Sequence, residues 1–223
     1  MSQFRNLVFE GGGVKGIAYG GAITQGWGAS APAHCWTAIA ARTQGLDLLN
    51  MGFAGIAGGD LVPAEHIAAL SADVITLSFG AAFWSRTPLS AGMALEWTRG
   101  FLELVRASHP TTPILVMSPF LRPAAEDVPN RLRATLMDLR NAIETATRQL
   151  ITDGDAALGL ASGALLIGAE HMSDGIHPED EGHQQIASIV GPALTAMLGV
   201  RLPTPPTRPA PVPPAPVPVA IPG

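Results

Sequence analysis

Short apolar runs alternate with longer segments of helical periodicity along most of this chain, and that alternation restricts the fold more than any single motif does. Residues 6–9, 46–51, 73–79 and 113–117 read as strands, and a further strand is expected within 157–167. Residues 31–43, 63–70, 88–108, 130–152 and 180–198 read as helices. The first of these has Ser30 as its N-cap, Pro32 in the first turn and Gly45 past the end. The helix at 130–152 carries one apolar stripe through Leu132, Leu136, Leu139, Ile143 and Leu150. Strands that alternate with helices predict an α/β fold with a parallel sheet covered on both faces. In such sheets the functional loops gather at the carboxyl ends of the strands.

Composition sets the limits. Of the 223 residues 47% are hydrophobic and 14% charged, enough apolar material for one well-buried domain over residues 1–200. The net charge of −5 and the single lysine, Lys15, leave no clustered basic surface, so nucleic acid is excluded as a partner. Residues 201–223 hold ten of the twenty prolines. Proline fixes φ and lacks an amide donor, so this stretch is expected to be a semi-extended, disordered tail. Cys35 is alone, which rules out an intramolecular disulfide and a cysteine-based zinc site; a buried place inside a helix suits it. No apolar run is long enough to span a membrane, and no secretory leader is recognisable. A soluble, cytoplasmic protein is the expectation, with the oligomeric state open.

Four glycine-rich or polar blocks fall at or beyond expected strand ends. They are Gly20-Gly21-Ala22-Ile23-Thr24-Gln25-Gly26, Asn50-Met51-Gly52-Phe53-Ala54-Gly55, Thr76-Leu77-Ser78-Phe79-Gly80-Ala81-Ala82 and Asp174-Gly175-Ile176-His177-Pro178. The last places an acid and an imidazole three residues apart, with a turn-forming Gly between them and a Pro directly after. Taken alone it also fits a plain turn leading into a helix, with Asp174 accepting local backbone bonds.

In order and spacing these blocks resemble the SGNH, or GDSL-type, hydrolases over residues 17–199. The resemblance implies a three-layer α/β/α fold with a flavodoxin-like sheet, and acyl- or acetyl-ester hydrolysis without a metal or organic cofactor. Its ligands would be small-molecule, lipid or carbohydrate esters. In that chemistry a serine attacks the ester carbonyl, a histidine takes its proton, and an aspartate fixes the histidine tautomer. The resemblance puts His177 and Asp174 in the last two roles and Gly55 among the oxyanion donors. It puts Ala22 at the nucleophile position and Ala82 at the asparagine donor position. Loss of the serine in a comparable triad costs roughly 10⁶ in turnover, about 8 kcal/mol, and loss of one oxyanion donor costs about 10² to 10³. Thr24, the nearest hydroxyl, is expected to project from another part of the turn. The expectation is a hydrolase scaffold with an impaired site, or a ligand-binding pseudoenzyme.

Residues 4–22 carry a second resemblance, to the opening of patatin-like phospholipases, where a strand delivers a Gly-rich oxyanion loop; here that loop would be Gly11, Gly12 and Gly13. A patatin-like lipid acyl hydrolase also requires Gly-x-Ser-x-Gly, which is absent; Ser162 in Gly159-Leu160-Ala161-Ser162-Gly163 is off by one residue. The two resemblances disagree over Ile17-Ala18-Tyr19, a strand end in one and a helix entry in the other. Gly11, Gly13 and Gly16 also fit Gly-x-Gly-x-x-Gly, but the next strand ends without the ribose-binding acid that a dinucleotide site needs. His171, Asp174, His177, Glu181 and His183 follow no metal-ligand spacing and read as a solvated polar loop. Trp27, Trp36, Trp84 and Trp97 read as packing residues.

Overall fold

The computed structural model describes residues 13–55 and 60–199. The strand expected at 6–9, the glycines Gly11 and Gly12, and the proline-rich stretch at 201–223 lie outside the described residues.

Strand β1 (Val14–Gly20) is flanked by β2 (Leu46–Gly52) and β3 (Val74–Ser78), with β4 (Ile114–Met117) and β5 (Leu158–Ala161) beyond β3. The order is β2-β1-β3-β4-β5 and every pairing is parallel. This is the flavodoxin-like order, in which the strand order reverses between β1 and β3 and opens a crevice at their carboxyl ends. The fold is therefore α/β with a parallel sheet between two helical layers.

The chain order of helices is α1 (Ala22–Gln25), α2 (Trp36–Gln44), α3 (Val62–Ala68), α4 (Ala82–Ser85), α5 (Ala91–Ser108), α6 (Pro123–Glu126), α7 (Leu136–Thr152) and α8 (Asp180–Leu198). Alternate strand residues face opposite sides of the sheet. Ile17, Tyr19, Ile75, Leu77, Ile114 and Val116 pack with the core residues of α3, α5 and α7. Ala18, Leu46, Leu48, Val74, Leu115 and Met117 pack with those of α2 and α8. Under the β1–β3 crevice, the Phe101 ring lies 5.4 Å from both Tyr19 and Phe79 and 4.9 Å from Trp97. Full burial of one such ring contributes about 1.5–3 kcal/mol, so the strand ends that carry the loops rest on a rigid base.

Three sequence expectations move. The helix expected at 31–43 is a 3-10 turn, Pro32–His34, followed by α2 with the buried Cys35 in its N-cap position; Gly45 closes it at φ +65° as expected. Helix α5 starts after Ser90, whose Oγ accepts from the Met93 amide, rather than at 88. Helix α7 starts only at Leu136, because Thr135 and Asp138 form a reciprocal capping box there. The preceding residues turn around Asn130, so Leu132 is exposed instead of lying on the apolar stripe. None of the described helices is long and apolar enough to cross a membrane.

Candidate active site

Strand β1 ends at Gly20, paired in register with Gly52 and Ser78. The three strand ends are packed so closely that a methyl group on Gly20 would meet the Ser78 carbonyl at 2.7 Å and collide with the Thr24 hydroxyl. Gly21 then caps the single turn α1, and Gly26 in the left-handed region closes it. Ala22 is therefore the first residue of a tight strand-to-helix turn above the sheet. Asn50 holds the turn in place: its Nδ2 donates to the Thr24 carbonyl (2.8 Å) and to Thr37 Oγ1 (2.9 Å), while its Oδ1 accepts from the Gly52 amide (2.8 Å). Gln25 Oε1 accepts from the Ala54 amide at 2.8 Å, which ties the Gly55 turn to α1. The Thr24 hydroxyl is buried and has no hydrogen-bond partner among the described residues.

After β3, Gly80 and Ala81 lead into α4, whose first residue is Ala82. Asn130 Nδ2 donates to the carbonyls of Phe83 and Leu89 (both 2.9 Å), and Trp84 Nε1 donates to Val128 (2.7 Å). The loop carrying Ala82 is thereby anchored to the segment before α7.

The Asp174–His177 turn is self-contained. Asp174 Oδ1 accepts from the backbone amides of Ile176 (2.9 Å) and His177 (2.7 Å), and Oδ2 lies 2.7 Å from His177 Nδ1. Burial pushes the Asp174 carboxyl upward, but the hydrogen bonds from the His177 ring and the two amides outweigh it and hold the carboxyl down at about 2. With Nδ1–H given to a carboxylate, His177 Nε2 is left with a free lone pair. The Trp27 ring lies 5.7 Å from the His177 ring. The chain passes so close to His177 and Pro178 at Gly28 (φ +92°) that a Cβ there would run into the Pro178 carbonyl.

Ala22, Gly55, Ala82 and His177 border one cavity of about 730 Å³ at the carboxyl ends of β1, β2 and β3. Asp174 sits behind His177, outside that lining. Four blocks separated by up to 155 positions in sequence converge here.

The family model described as GDSL-like lipase/acylhydrolase matches residues 15–195. The chain belongs to this family. Among solved structures, a salicylyl-acyltransferase from a tetracycline biosynthetic pathway superimposes on the GDSL-family chain at TM-score 0.70 and 28% identity, over 84% of this chain and 55% of that one. A putative GDSL-like lipase from Bacteroides ovatus gives TM-score 0.71 and 25% identity, over 85% and 55%. The chain thus spans just over half the length of these two proteins. A carbohydrate acetylesterase family member from Sinorhizobium meliloti, at 18% identity and TM-score 0.64, shares the fold over 84% of this chain and all of its own. No curated protein sequence matches.

The GDSL-family chain resolves the competing reading of its first residues. Ile17, Ala18 and Tyr19 lie inside β1 rather than entering a helix. Gly13 stands at the amino end of β1, about 20 Å of strand away from the cavity. Gly16 is a strand residue covered by the Leu48 side chain, so the glycines do not join a strand to a helix as a dinucleotide loop would. Ser162 lies beside the Glu144 carboxylate and does not line the cavity.

The polar residues suspected of metal binding divide among separate tasks. Asp174 and His177 bond to each other. His183 is fully buried, with Nδ1 accepting from the Trp36 amide and Nε2 donating to the Trp27 carbonyl, both at 3.2 Å. Burial lowers the His183 pKa and the nearby His177 adds to that, against smaller upward effects of the Trp27 bond and Asp180. Apart from the Asp174–His177 pair, His171 and Glu181 approach each other (3.9 Å), with Glu179 completing a partly exposed group whose atoms lie within 4.8 Å.

One grouping was not legible in the sequence. Ser30 Oγ donates to Asp180 Oδ2 (2.6 Å), and His34 Nδ1 lies 2.9 Å from both. A relay needs Ser and Asp on different ring nitrogens; here both meet Nδ1. This is a clamp from the 29–34 loop to the start of α8, and it explains why Ser30 is not the α2 cap. Hydrogen bonds from Ser30, with a smaller contribution from His34, hold Asp180 at about 2.

Proposed function

We propose that this chain is an acyl- or acetyl-ester hydrolase scaffold of the GDSL family whose own catalysis is disabled, and that its cavity now serves binding. The observation that carries the reading is the convergence of Ala22, Gly55, Ala82 and His177 on one cavity with Asp174 hydrogen-bonded behind His177. A serine at position 22 would place its hydroxyl at the mouth of the turn, His177 Nε2 would accept its proton, and Asp174 would stabilise the imidazolium. The Ala22 and Gly55 amides would face the oxyanion, with an asparagine at 82 as the side-chain donor. The alanine at 22 removes the attacking atom, at a cost of roughly 10⁶ in turnover. Thr24 offers no substitute, since its hydroxyl is buried against Gly20. The acyl-transfer chemistry named for the salicylyl-acyltransferase supports acyl groups as the ligand class. The reading uses no metal or organic cofactor.

The test is gain of function on a short-chain aryl ester. The parent should show negligible turnover, Ala22→Ser weak turnover, and Ala22→Ser/Ala82→Asn a further rise of about tenfold to a hundredfold. A parent already as active as the double variant overturns the assignment of Ala22.

A further inference from the structure

Every charged or chargeable side chain bordering the cavity is a base. The chain as a whole carries 18 acidic residues against 13 Lys and Arg, yet among the described residues no carboxylate lines the cavity, while Arg86, Arg122 and the His177 imidazole do. Arg86 folds over the Gly55 turn, its Cζ 3.3 Å from where a Gly55 Cβ would stand. Arg122 lies over the Trp84 ring, Cζ 5.0 Å from the centroid, with its Nε buried and without a hydrogen-bond partner among the described residues. Neither guanidinium is paired with a carboxylate among the described residues, whereas Arg106, Arg140 and Arg148 all are. The rest of the lining is mainly apolar or aromatic, with Trp27, Phe79, Trp84 and Phe120 among it, and Thr24, Ser78 and Ser85 as its hydroxyl residues.

We infer that the cavity is a receptor for an apolar monocarboxylate: the free acid rather than the ester. The inference rests on the reading of this cavity as a disabled hydrolase site. A guanidinium presents donors in a planar fork that matches a carboxylate and remains charged at all working pH values. A neutral ester offers that fork only a weak carbonyl acceptor. The side chains of Ala22 and Ala82 contribute no polar atoms, so Arg86 beside Gly55 supplies positive charge to that end of the cavity. The aromatic walls take the hydrocarbon part. Phosphate monoesters share the guanidinium chemistry, but their dianion gains less from the apolar walls.

The experiment is calorimetric titration of the full chain with 4-phenylbutanoate, its methyl ester, and phenyl phosphate, at low and at 0.5 M salt. The acid is expected to bind at least tenfold more tightly than the ester, and to weaken with salt. Arg86→Gln and Arg122→Gln should each weaken acid binding about tenfold and collapse the difference from the ester; Arg86→Lys should fall between. Circular dichroism and Tm of each variant separate lost binding from lost folding, and Arg86, being exposed, is the variant expected to fold. Equal affinity for acid and ester, or acid binding unchanged in a folded Arg86→Gln, overturns the inference. Preference for phenyl phosphate over the acid overturns it too. Equal affinity alongside turnover in Ala22→Ser/Ala82→Asn leaves the hydrolase reading standing. Arginine-dependent acid binding with no turnover in that variant supports the carboxylate site and removes the hydrolase reading alone.

Discussion

Asp174 spends both carboxylate oxygens within its own turn, Oδ1 on the Ile176 and His177 amides and Oδ2 on His177 Nδ1. The imidazole is thus oriented by local bonds that owe nothing to a nucleophile. The same bonds organise the chain ahead of α8.

Asp174→Asn is expected to lower stability at pH 7. The carboxyl is held near 2 in the folded chain, below its unfolded value, so its contribution is complete above about pH 4 and is lost as pH falls through 2. The side chain is half exposed, and solvent screening reduces the effect to about 0.5–1 kcal/mol. Thermal melts should show a Tm deficit of about 2–3 °C at pH 7 that closes on acidification. A deficit independent of pH would contradict the charge argument.

His183 should make the fold acid-sensitive in a higher window. Its neutral form is required, since Nδ1 must accept from the Trp36 amide, and its pKa is lowered. A base depressed in the folded state contributes stability above its unfolded pKa of about 6.5 that is lost as pH falls below it. His183→Gln keeps one acceptor and one donor while removing the titration. The slope of Tm between pH 5 and 7 should flatten in that variant relative to the parent.

Asn50→Ala removes three hydrogen bonds that join α1, α2 and the end of β2. The Thr24 carbonyl and the Gly52 amide lose their partner in a packed region, at a cost of about 2–3 kcal/mol. Urea denaturation should give a lower midpoint with an unchanged m-value. In the Ala22→Ser/Ala82→Asn background, the restored turnover should fall more than the folded fraction does.

Gly28→Ala combines a left-handed φ with a collision against the Pro178 carbonyl. The expected loss is about 1–3 kcal/mol. Because Trp27 packs on His177, its emission should shift as the loop withdraws; an unshifted spectrum with full stability would mean the loop yields without moving the histidine.

The blocks around Ala22, Gly55, Ala82 and His177 could be found in the sequence because each is a short run with its own turn chemistry. The late start of α7 was hidden because Leu132 fits the helical period; only the Thr135–Asp138 box and the Asn130 turn cut it off. The Ser30–Asp180 clamp joins residues 150 positions apart, and no local pattern reports such a pair. Strand β1 escaped the apolar-run pattern because the glycines before and within it resemble a loop, whereas Gly16 is small to leave room for Leu48.

Residue identity alone determined that positions 22 and 82 carry methyl groups, that an acid and an imidazole stand three apart, and that strands alternate with helices. These are properties of single residues and of local period, and they need no partner. The tertiary structure decided the order β2-β1-β3-β4-β5, and with it which loops share a cavity and which arginines face it. Strand order and register are set by burial between distant segments. Periodicity reports that a face is buried, but not what it is buried against.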